Sequence, residues 1–309
     1  MNFLLEARNI TKKYGDYTAL NNVSISIPKQ SVFGLLGPNG AGKTSLIRII
    51  NQITLPDSGT IILDGKPLQP EDVANIGYLP EERGLYKSMK VGEQALYLAQ
   101  LKGMSKQDAQ KSLKMWFEKF EISNWWDKKI QELSKGMAQK VQFITTVMHN
   151  PKLLIFDEPF SGFDPVNANL IKDEILTLRD NGATIIFSTH RMESVEEMCD
   201  NIALINKSNK ILDGKLNEIK KSFRTNTFEV GLETTLEKTA LLQEINTNFK
   251  VSESSLKLLD NINTFTVSLE KNTPNDFLSY ISSKGNVVHF VEKIPSVNDI
   301  FIQAVSQKH

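Results

Sequence analysis

The sequence predicts an α/β fold in which parallel strands deliver loops to one phosphate-binding site. Three observations carry this. First, Gly37-Pro38-Asn39-Gly40-Ala41-Gly42-Lys43-Thr44-Ser45 matches the P-loop pattern G-x-x-x-x-G-K-[ST], with the short apolar run Ser31 to Leu36 before it and the helix-compatible Leu46 to Ile50 after it. Strand, glycine-rich turn and helix aim backbone N–H groups at an anion, and the glycines leave no Cβ between backbone and phosphate. Second, the apolar run Lys152 to Asp157 ends in the adjacent carboxylates Asp157 and Glu158. Third, Ala183 to Thr189 is another such run, with His190 at its end. Buried parallel strands read as continuous apolar runs, and ligands bind beyond their carboxyl ends.

Length and composition bound the rest. The 309 residues suffice for one large domain and a small one. Hydrophobic residues make up 40% and charged residues 23%, the balance of a soluble globular chain. Formal net charge is zero, so there is no global electrostatic case for nucleic acid. No run approaches the roughly 18 apolar residues of a membrane span, and Met1 to Glu6 lacks the basic start and apolar core of a signal peptide. Cys199 is the single cysteine. These features predict a reducing, cytoplasmic location.

Taken in order, the first sixty or so residues read as β-rich. Leu4 to Ile10 alternates loosely and Val23 to Ile27 strictly, and Gly59 to Gly65 is a strand ending in the hairpin signal Asp64-Gly65. Ile76 to Leu79 is a short strand running into a loop broken by Pro80 and Gly84. From Val91 to about Phe120 the period is helical, with Ala109, Leu113, Trp116, Phe117 and Phe120 on one face and Ser105 with Asp108 as a capping box. Trp125 and Trp126 close this lobe. A second helix opens at Leu133-Ser134-Lys135-Gly136-Met137, places Met137, Val141, Ile144, Thr145 and Met148 on a shared face, and stops at Asn150-Pro151. A tight loop Ser161 to Pro165 precedes a helix from about Val166 to Asp180. Ile202 to Ile205 and Lys210 to Gly214 form a hairpin, and Lys215 to Lys221 is a helix leading out of the core. Beyond Ser222, strands are predicted at Thr264 to Leu269 and Asn286 to Val291. Helices are predicted at Leu236 to Phe249, at Pro274 to Ser283 and after the cap Ser296, with Val297, Ile300, Phe301 and Ala304 on one face of the last.

Several side chains carry candidate chemistry. Lys43 would reach the outer phosphates as a point charge and Thr44 would offer its hydroxyl to Mg²⁺. Asp157 would hold that ion through water, and Glu158 would orient or deprotonate an attacking water. His190 falls at the same sheet end. Tyr14 is either a strand-end aromatic or a ring that stacks on adenine. Ser134 is either an ordinary helix cap, worth about 1 kcal/mol, or, with the Gly136 amide, an anion contact at a helix N-terminus.

In this combination and order the pieces resemble the ATP-binding cassette (ABC) ATPases of membrane transporters, over residues 1 to about 221. Gly37 to Ser45 matches Walker A; Leu153 to Asp157, with Glu158 next, matches Walker B. Leu133 to Met137 matches the signature, Ser161 to Asp164 the D-loop, His190 the switch histidine and Tyr14 the adenine-stacking aromatic. Two departures stand out. The usual signature L-S-G-G-Q reads Leu133-Ser134-Lys135-Gly136-Met137, and Glu81 stands where a glutamine usually follows the strand. The run Tyr78 to Tyr86 looks like the prokaryotic sodium and drug export-type (ABC-2-like) subgroup, and the C-terminal module is similar to that subgroup's accessory domain.

The resemblance implies a P-loop NTPase core with an antiparallel β subdomain and a helical subdomain at about 87–150. These make up a nucleotide-binding domain over 1–221, followed by an α+β accessory domain over 222–309. It implies ATP hydrolysis coupled to transport, with ATP and Mg²⁺ as cofactors. It also implies a head-to-tail homodimer or heterodimer, in which Walker A, Asp157, Glu158 and His190 of one copy face Ser134 and Gly136 of the other. A membrane permease on a separate chain would dock near Glu81 and the helical lobe, placing the protein peripherally on the inner face of the membrane. Glu81, a carboxylate near Mg²⁺, would make engagement of its loop more dependent on metal. The alternatives are a soluble, non-transport ABC ATPase, for which a long coiled coil or second cassette is missing, and a low-turnover nucleotide-gated binding module, against which Glu158 and His190 argue.

Overall fold

The computed structural model describes residues 2–306 except Arg83, Ser255, Lys257, Leu259, Asp260 and Lys271. Arg83, part of the run Tyr78 to Tyr86, therefore lies outside the described residues. Along the chain come β1 (Phe3–Tyr14), β2 (Tyr17–Pro28), β3 (Val32–Leu36), α1 (Lys43–Ile50), β4 (Ser58–Leu63), β5 (Lys66–Pro67) and β6 (Ile76–Leu79). Then follow α2 (Val91–Leu101), α3 (Lys106–Lys119), α4 (Lys135–Val147), β7 (Leu153–Asp157), α5 (Pro165–Asp180), β8 (Thr184–Thr189), α6 (Met192–Met198), β9 (Asn201–Asn206) and β10 (Asn209–Lys215). The last elements are α7 (Leu216–Ser222), β11 (Thr227–Glu233), α8 (Lys238–Ile245), β12 (Lys250–Glu253), β13 (Ile262–Ser268), α9 (Pro274–Ile281), β14 (Asn286–Glu292) and α10 (Val297–Ser306). Packing divides the chain into two compact units, one ending at Leu216 and one covering Asn217–Gln303, with Ala304 to Ser306 grouped with the first. The break falls a few residues before the expected junction at 221/222.

The first unit holds two sheets. A six-stranded sheet runs β10-β9-β3-β8-β7-β6, parallel from β9 to β6 and closed by the antiparallel β10. β3, β7 and β8 are buried along their whole length, which explains their continuous apolar reading. A four-stranded sheet, β2-β1-β4-β5, packs its apolar face on the first: Ile10, Val23, Ile25 and Ile61 share one core with Phe33 of β3, Leu46 and Ile47 of α1 and Ile155 of β7. The Asp64-Gly65 signal is a two-residue turn with both φ angles positive, 50° and 82°, joining β4 to β5.

The helical lobe contains two helices where one stretch of helical period was read. Gly103, at φ 85°, ends α2, and Ser105 restarts the chain by accepting from the Asp108 amide at 3.1 Å. The expected box is half made, because the Asp108 carboxylate accepts from the Ser105 hydroxyl, at 2.6 Å. An aromatic chain ties the lobe to the sheet: Trp116 and Phe120 pack on Phe143 of α4, which stacks on Phe156 of β7 with centroids 5.6 Å apart. Trp126 packs edge-on against Phe117 and lies directly over Gly92, closing the lobe as expected.

The second unit is a four-stranded antiparallel sheet, β12-β13-β11-β14, whose Val230, Leu232, Phe265 and Val267 form a core with Leu241 and Ile245 of α8 and Phe277 and Ile281 of α9. Sequence reading omitted β11 and β12. The helix expected over Leu236 to Phe249 shortens to α8: it begins at Lys238, capped by the Glu237 carboxylate accepting from the amides of Thr239 and Ala240, and it ends at Ile245.

Gly92 supplies a stability test. A Cβ there would sit 2.3 Å from the Trp126 ring. Overpacking of this kind costs about 1–3 kcal/mol, more than the roughly 1 kcal/mol of helix propensity that alanine brings. Gly92→Ala is expected to lower the urea midpoint and shift Trp126 fluorescence; an unchanged or raised midpoint would contradict this packing.

Candidate functional site

The register of the parallel sheet assembles the site. Leu36 pairs with Thr189, Asp157 with Ser188 and Leu79 with Phe156, so β3, β8, β7 and β6 end level with one another. The loops that leave them carry Gly37–Ser45, His190, Glu158 and Glu81. Together with Asp157 and Tyr17, residues 39–45 and these side chains line a cleft of about 330 Å³.

The loop is wedged between backbones. A Cβ on Gly37 would lie 2.1 Å from the Ile205 carbonyl oxygen at the end of β9, and one on Gly42 would lie 2.3 Å from the Ala19 carbonyl oxygen of β2. Both glycines also adopt positive φ, 147° and 115°. The Ala41 carbonyl accepts from the Ser208 amide at 3.2 Å. Side chains at 37 and 42 are excluded by main chain that cannot retreat, and the anion cradle is thereby kept open.

Lys43 is buried, and its ammonium donates to the carbonyls of Gly37 at 2.7 Å and Pro38 at 3.1 Å. Burial lowers its pKa, while the carboxylates of Asp157, Glu158 and Glu81 oppose that shift. Asp157 is buried, and its carboxyl is raised above the ordinary value first by burial and further by the charges of Glu81 and Glu158. One cation thus faces three carboxylates, a net negative set that a divalent cation would offset, while Lys43 would face the phosphates. Among the described residues no group of three or more His, Cys, Asp or Glu side chains forms a metal cage. Mg²⁺ does not require one: it takes one or two carboxylates and completes its shell with phosphate and water oxygens. The oxygen-only set of Thr44, Asp157 and Glu81 on this cleft suits it.

Glu158 is held from β8. Its φ is 52°, and its amide donates to the Ser188 carbonyl at 2.9 Å. One carboxylate oxygen accepts from the His190 amide at 2.8 Å and lies 2.7 Å from His190 Nδ1; the other accepts from the Thr189 hydroxyl at 3.1 Å. The left-handed backbone turns the carboxylate toward the histidine, and both point into the cleft.

Tyr14 sits outside the cleft lining, 45% exposed at the end of β1 with Lys12 Nζ 5.4 Å from its ring centroid. Tyr17, its cross-strand partner around the Gly15-Asp16 turn, lines the cleft and donates its hydroxyl to the Gly40 carbonyl at 2.8 Å. Sequence reading missed Tyr17; its signal was the two-residue gap that puts both tyrosines on one hairpin face. Ser134 caps α4 by accepting from the Met137 amide at 3.3 Å. Neither Ser134 nor Gly136 lines the cleft.

A second concavity, about 320 Å³, is lined by apolar side chains including Ile53, Val73, Leu85, Leu98 and Leu101, with Lys102 and His149 among them. Lys102 donates to the carbonyls of Val73 at 2.9 Å and Ile76 at 2.8 Å, clamping the end of α2 to β6. Burial, with the Lys102 charge beside it, pushes His149 down to about 4. Tyr78 and Pro80 line this groove, while Glu81, the next residue, lines the phosphate cleft.

A backbone-seated glycine loop at the end of a parallel strand, with a buried lysine opposite carboxylates, defines a P-loop nucleotide-binding protein. Comparison with known proteins narrows the class. A family model described as "ABC transporter" matches residues 20–161, and one described as "ATP-binding protein DrrA1-3-like, C-terminal domain" matches residues 214–305. The chain is 42% identical over 302 residues to the uncharacterized ABC transporter ATP-binding protein YhaQ of Bacillus subtilis (strain 168), covering 98% of each chain. It is 35% identical to the linearmycin resistance ATP-binding protein LnrL of the same organism, over 68% of this chain and 69% of that one. It is 32% identical to the Nod factor export ATP-binding protein I of Cupriavidus metallidurans, over 71% and 73%. A solved structure of an ATP-binding subunit of an ABC transporter superposes with a TM-score of 0.67 at 28% identity, over 71% of this chain and 93% of that one. The chain belongs to the ABC transporter ATP-binding proteins, and its C-terminal module to the DrrA-like domains.

Two outcomes follow from this geometry. Because the folded protein raises the Asp157 carboxyl, it binds that proton more tightly than the unfolded chain. The stability so gained is complete below the ordinary carboxylate pKa of about 3.9 and is lost as pH rises through the raised value. Asp157→Asn is therefore expected to raise the melting temperature of the nucleotide-free protein at neutral pH, with the difference shrinking toward pH 4 (about the ordinary value); a lowered melting temperature at pH 7.5 (roughly neutral) would refute it. Tyr17→Phe removes one neutral hydrogen bond to the loop. It is expected to weaken ATP and inorganic tripolyphosphate alike, by about two- to tenfold; calorimetry showing a loss for ATP alone would move Tyr17 from the loop to the base.

Proposed function

We propose that the chain hydrolyses MgATP and drives a separately encoded membrane permease, in the export direction, as one half of a head-to-tail dimer. The observation that carries this reading is the division of the site. Gly37–Ser45, Glu81, Asp157, Glu158 and His190 meet at one cleft, while Ser134 and Gly136 lie off it. A second copy, identical or related, would supply that second wall.

Lys43 and the loop amides hold the phosphates, and Ser134 and Gly136 contact them from the other copy. Thr44, Asp157 and Glu81 hold Mg²⁺. Glu158 accepts a proton from the attacking water, and His190 positions that carboxylate and senses the outer phosphate. Tyr14, outside the cleft lining but paired with Tyr17 on the same hairpin, stacks on adenine beyond the phosphates. Residues 1–221 form the nucleotide-binding domain and 222–309 the accessory domain. The relatives whose names carry Nod factor export and linearmycin resistance support export over import. Among the described residues no helix is long and apolar enough to cross a membrane, and on this reading the pathway belongs to a separate permease chain, as ABC ATPase subunits act with permeases. Its cytoplasmic segments dock in the apolar groove beside Tyr78 and Pro80, on the inner face of the membrane.

Glu158→Gln is the decisive variant. It keeps MgATP binding, loses about 10²–10⁴-fold in turnover because the amide accepts no proton, and accumulates as an ATP-dependent dimer. Phosphate release and light scattering check both; wild-type turnover removes Glu158 from the mechanism, and a chain that stays monomeric with ATP removes the dimer. Glu81→Gln is expected to leave ATP binding nearly intact and to flatten the dependence of dimerisation on free Mg²⁺. Superimposable titrations for the two proteins would make Glu81 an ordinary loop residue.

A further inference from the structure

Lys135 occupies the signature position where glycine is usual. Its side chain crosses the loop Ser161–Asp164 of the same chain. A Cβ built on Gly162 would sit 2.3 Å from Lys135 Cε, 2.7 Å from Cδ and 2.9 Å from Nζ, so the lysine stem passes directly over that α-carbon. Gly136 faces the same loop, with its Cβ position 3.9 Å from both the Gly162 carbonyl oxygen and Phe163 Cδ1. One turn further, the Gln139 side-chain amide donates to the Ser161 carbonyl. The first turn of α4 thus lies along the loop from residue 135 to residue 139.

The helix dipole does not account for the lysine. It is the first residue of α4, and the first turn carries no acidic side chain, so its charge meets the positive end of the helix dipole. No ion pair joins it to another described residue. What it adds over glycine is an alkyl stem, which lies with its ammonium over Gly162.

We propose that Lys135 is a positioning residue for hydrolysis: its stem ties the start of α4 to the loop Ser161–Asp164, so that both move as one body. The loop leads back to Glu158 through short hydrogen-bonded turns, with the Ser161 amide donating to the Glu158 carbonyl at 3.1 Å and the Phe163 amide to the Phe160 carbonyl at 3.3 Å. A displacement of α4 is therefore delivered to the backbone of Glu158 within one turn of chain. The consequence for turnover rests on the head-to-tail reading above, in which α4 meets the nucleotide of a second copy; the contact itself does not.

The test compares Lys135→Ala, which removes the stem, with Lys135→Met, which keeps a stem and removes the charge. Lys135→Ala is expected to lower kcat about tenfold with the KM for ATP unchanged, and Lys135→Met to stay within about twofold of wild type. Hydrogen exchange of the Ser161–Phe163 amides, measured without nucleotide, is expected to quicken in Lys135→Ala and not in Lys135→Met. Wild-type exchange in Lys135→Ala overturns the tie, whatever the kinetics. Equal loss in Lys135→Ala and Lys135→Met, with recovery in Lys135→Arg, overturns it as well, by making the ammonium the working group. If the wild-type protein shows no ATP turnover, the head-to-tail reading fails while the exchange comparison still decides the contact.

Discussion

Two places where backbone touches backbone govern this molecule. The carbonyl of Ile205, at the end of β9, and the carbonyl of Ala19, near the start of β2, press on the α-carbons of Gly37 and Gly42. They belong to different sheets, so the phosphate loop is gripped between the parallel and antiparallel layers. The shared core explains why those layers hold their spacing: Phe33, Leu46, Ile47 and Ile155 are buried in the same cluster as Ile10, Val23, Ile25 and Ile61. A loop seated against backbone on both sides has few conformations open to it, which limits the entropy that binding would cost.

The charge arrangement is the counterpart of that rigidity. Lys43 rests on the loop's own carbonyls, and Asp157 sits buried beside Glu81 and Glu158. Neither arrangement favours the isolated chain: burial disfavours the ammonium, and burial with like charge disfavours the carboxylate. A polyphosphate with its divalent ion would relieve both at once. Stability surrendered at the cleft is thereby returned as affinity for a ligand of the right charge, as is common where function and stability conflict.

Much of this was legible in the sequence, and the limits are instructive. β3, β7 and β8 were readable because a strand buried on both faces is apolar throughout, and the residues that follow each one are chemically distinctive. His190 and Glu158 could be assigned to one sheet end but not to each other. Their 2.7 Å contact depends on the left-handed turn at Glu158, which no residue type announces. Tyr17 was missed because its partner is a carbonyl of a loop that pairing alone brings near. In the second unit β12 is only four residues long, and Gly231 interrupts the alternation of β11. The lysine–glycine contact of Lys135 and Gly162 joins segments distant in sequence, and it became visible only once the fold placed them.

The short segment Tyr78-Leu79-Pro80-Glu81 forms a party wall. Tyr78 and Pro80 line the apolar groove, and Glu81 lines the phosphate cleft. Such a wall limits how the protein can diverge. On the proposed reading, in which the permease docks in this groove, a substitution there that suits a new partner would also disturb the nucleotide cleft, so the two properties could not be tuned one at a time through these residues. Leu85, Leu98 and Leu101 line the groove without touching the cleft. On the same reading, drift in partner choice and deliberate rewiring in the laboratory have their free positions there.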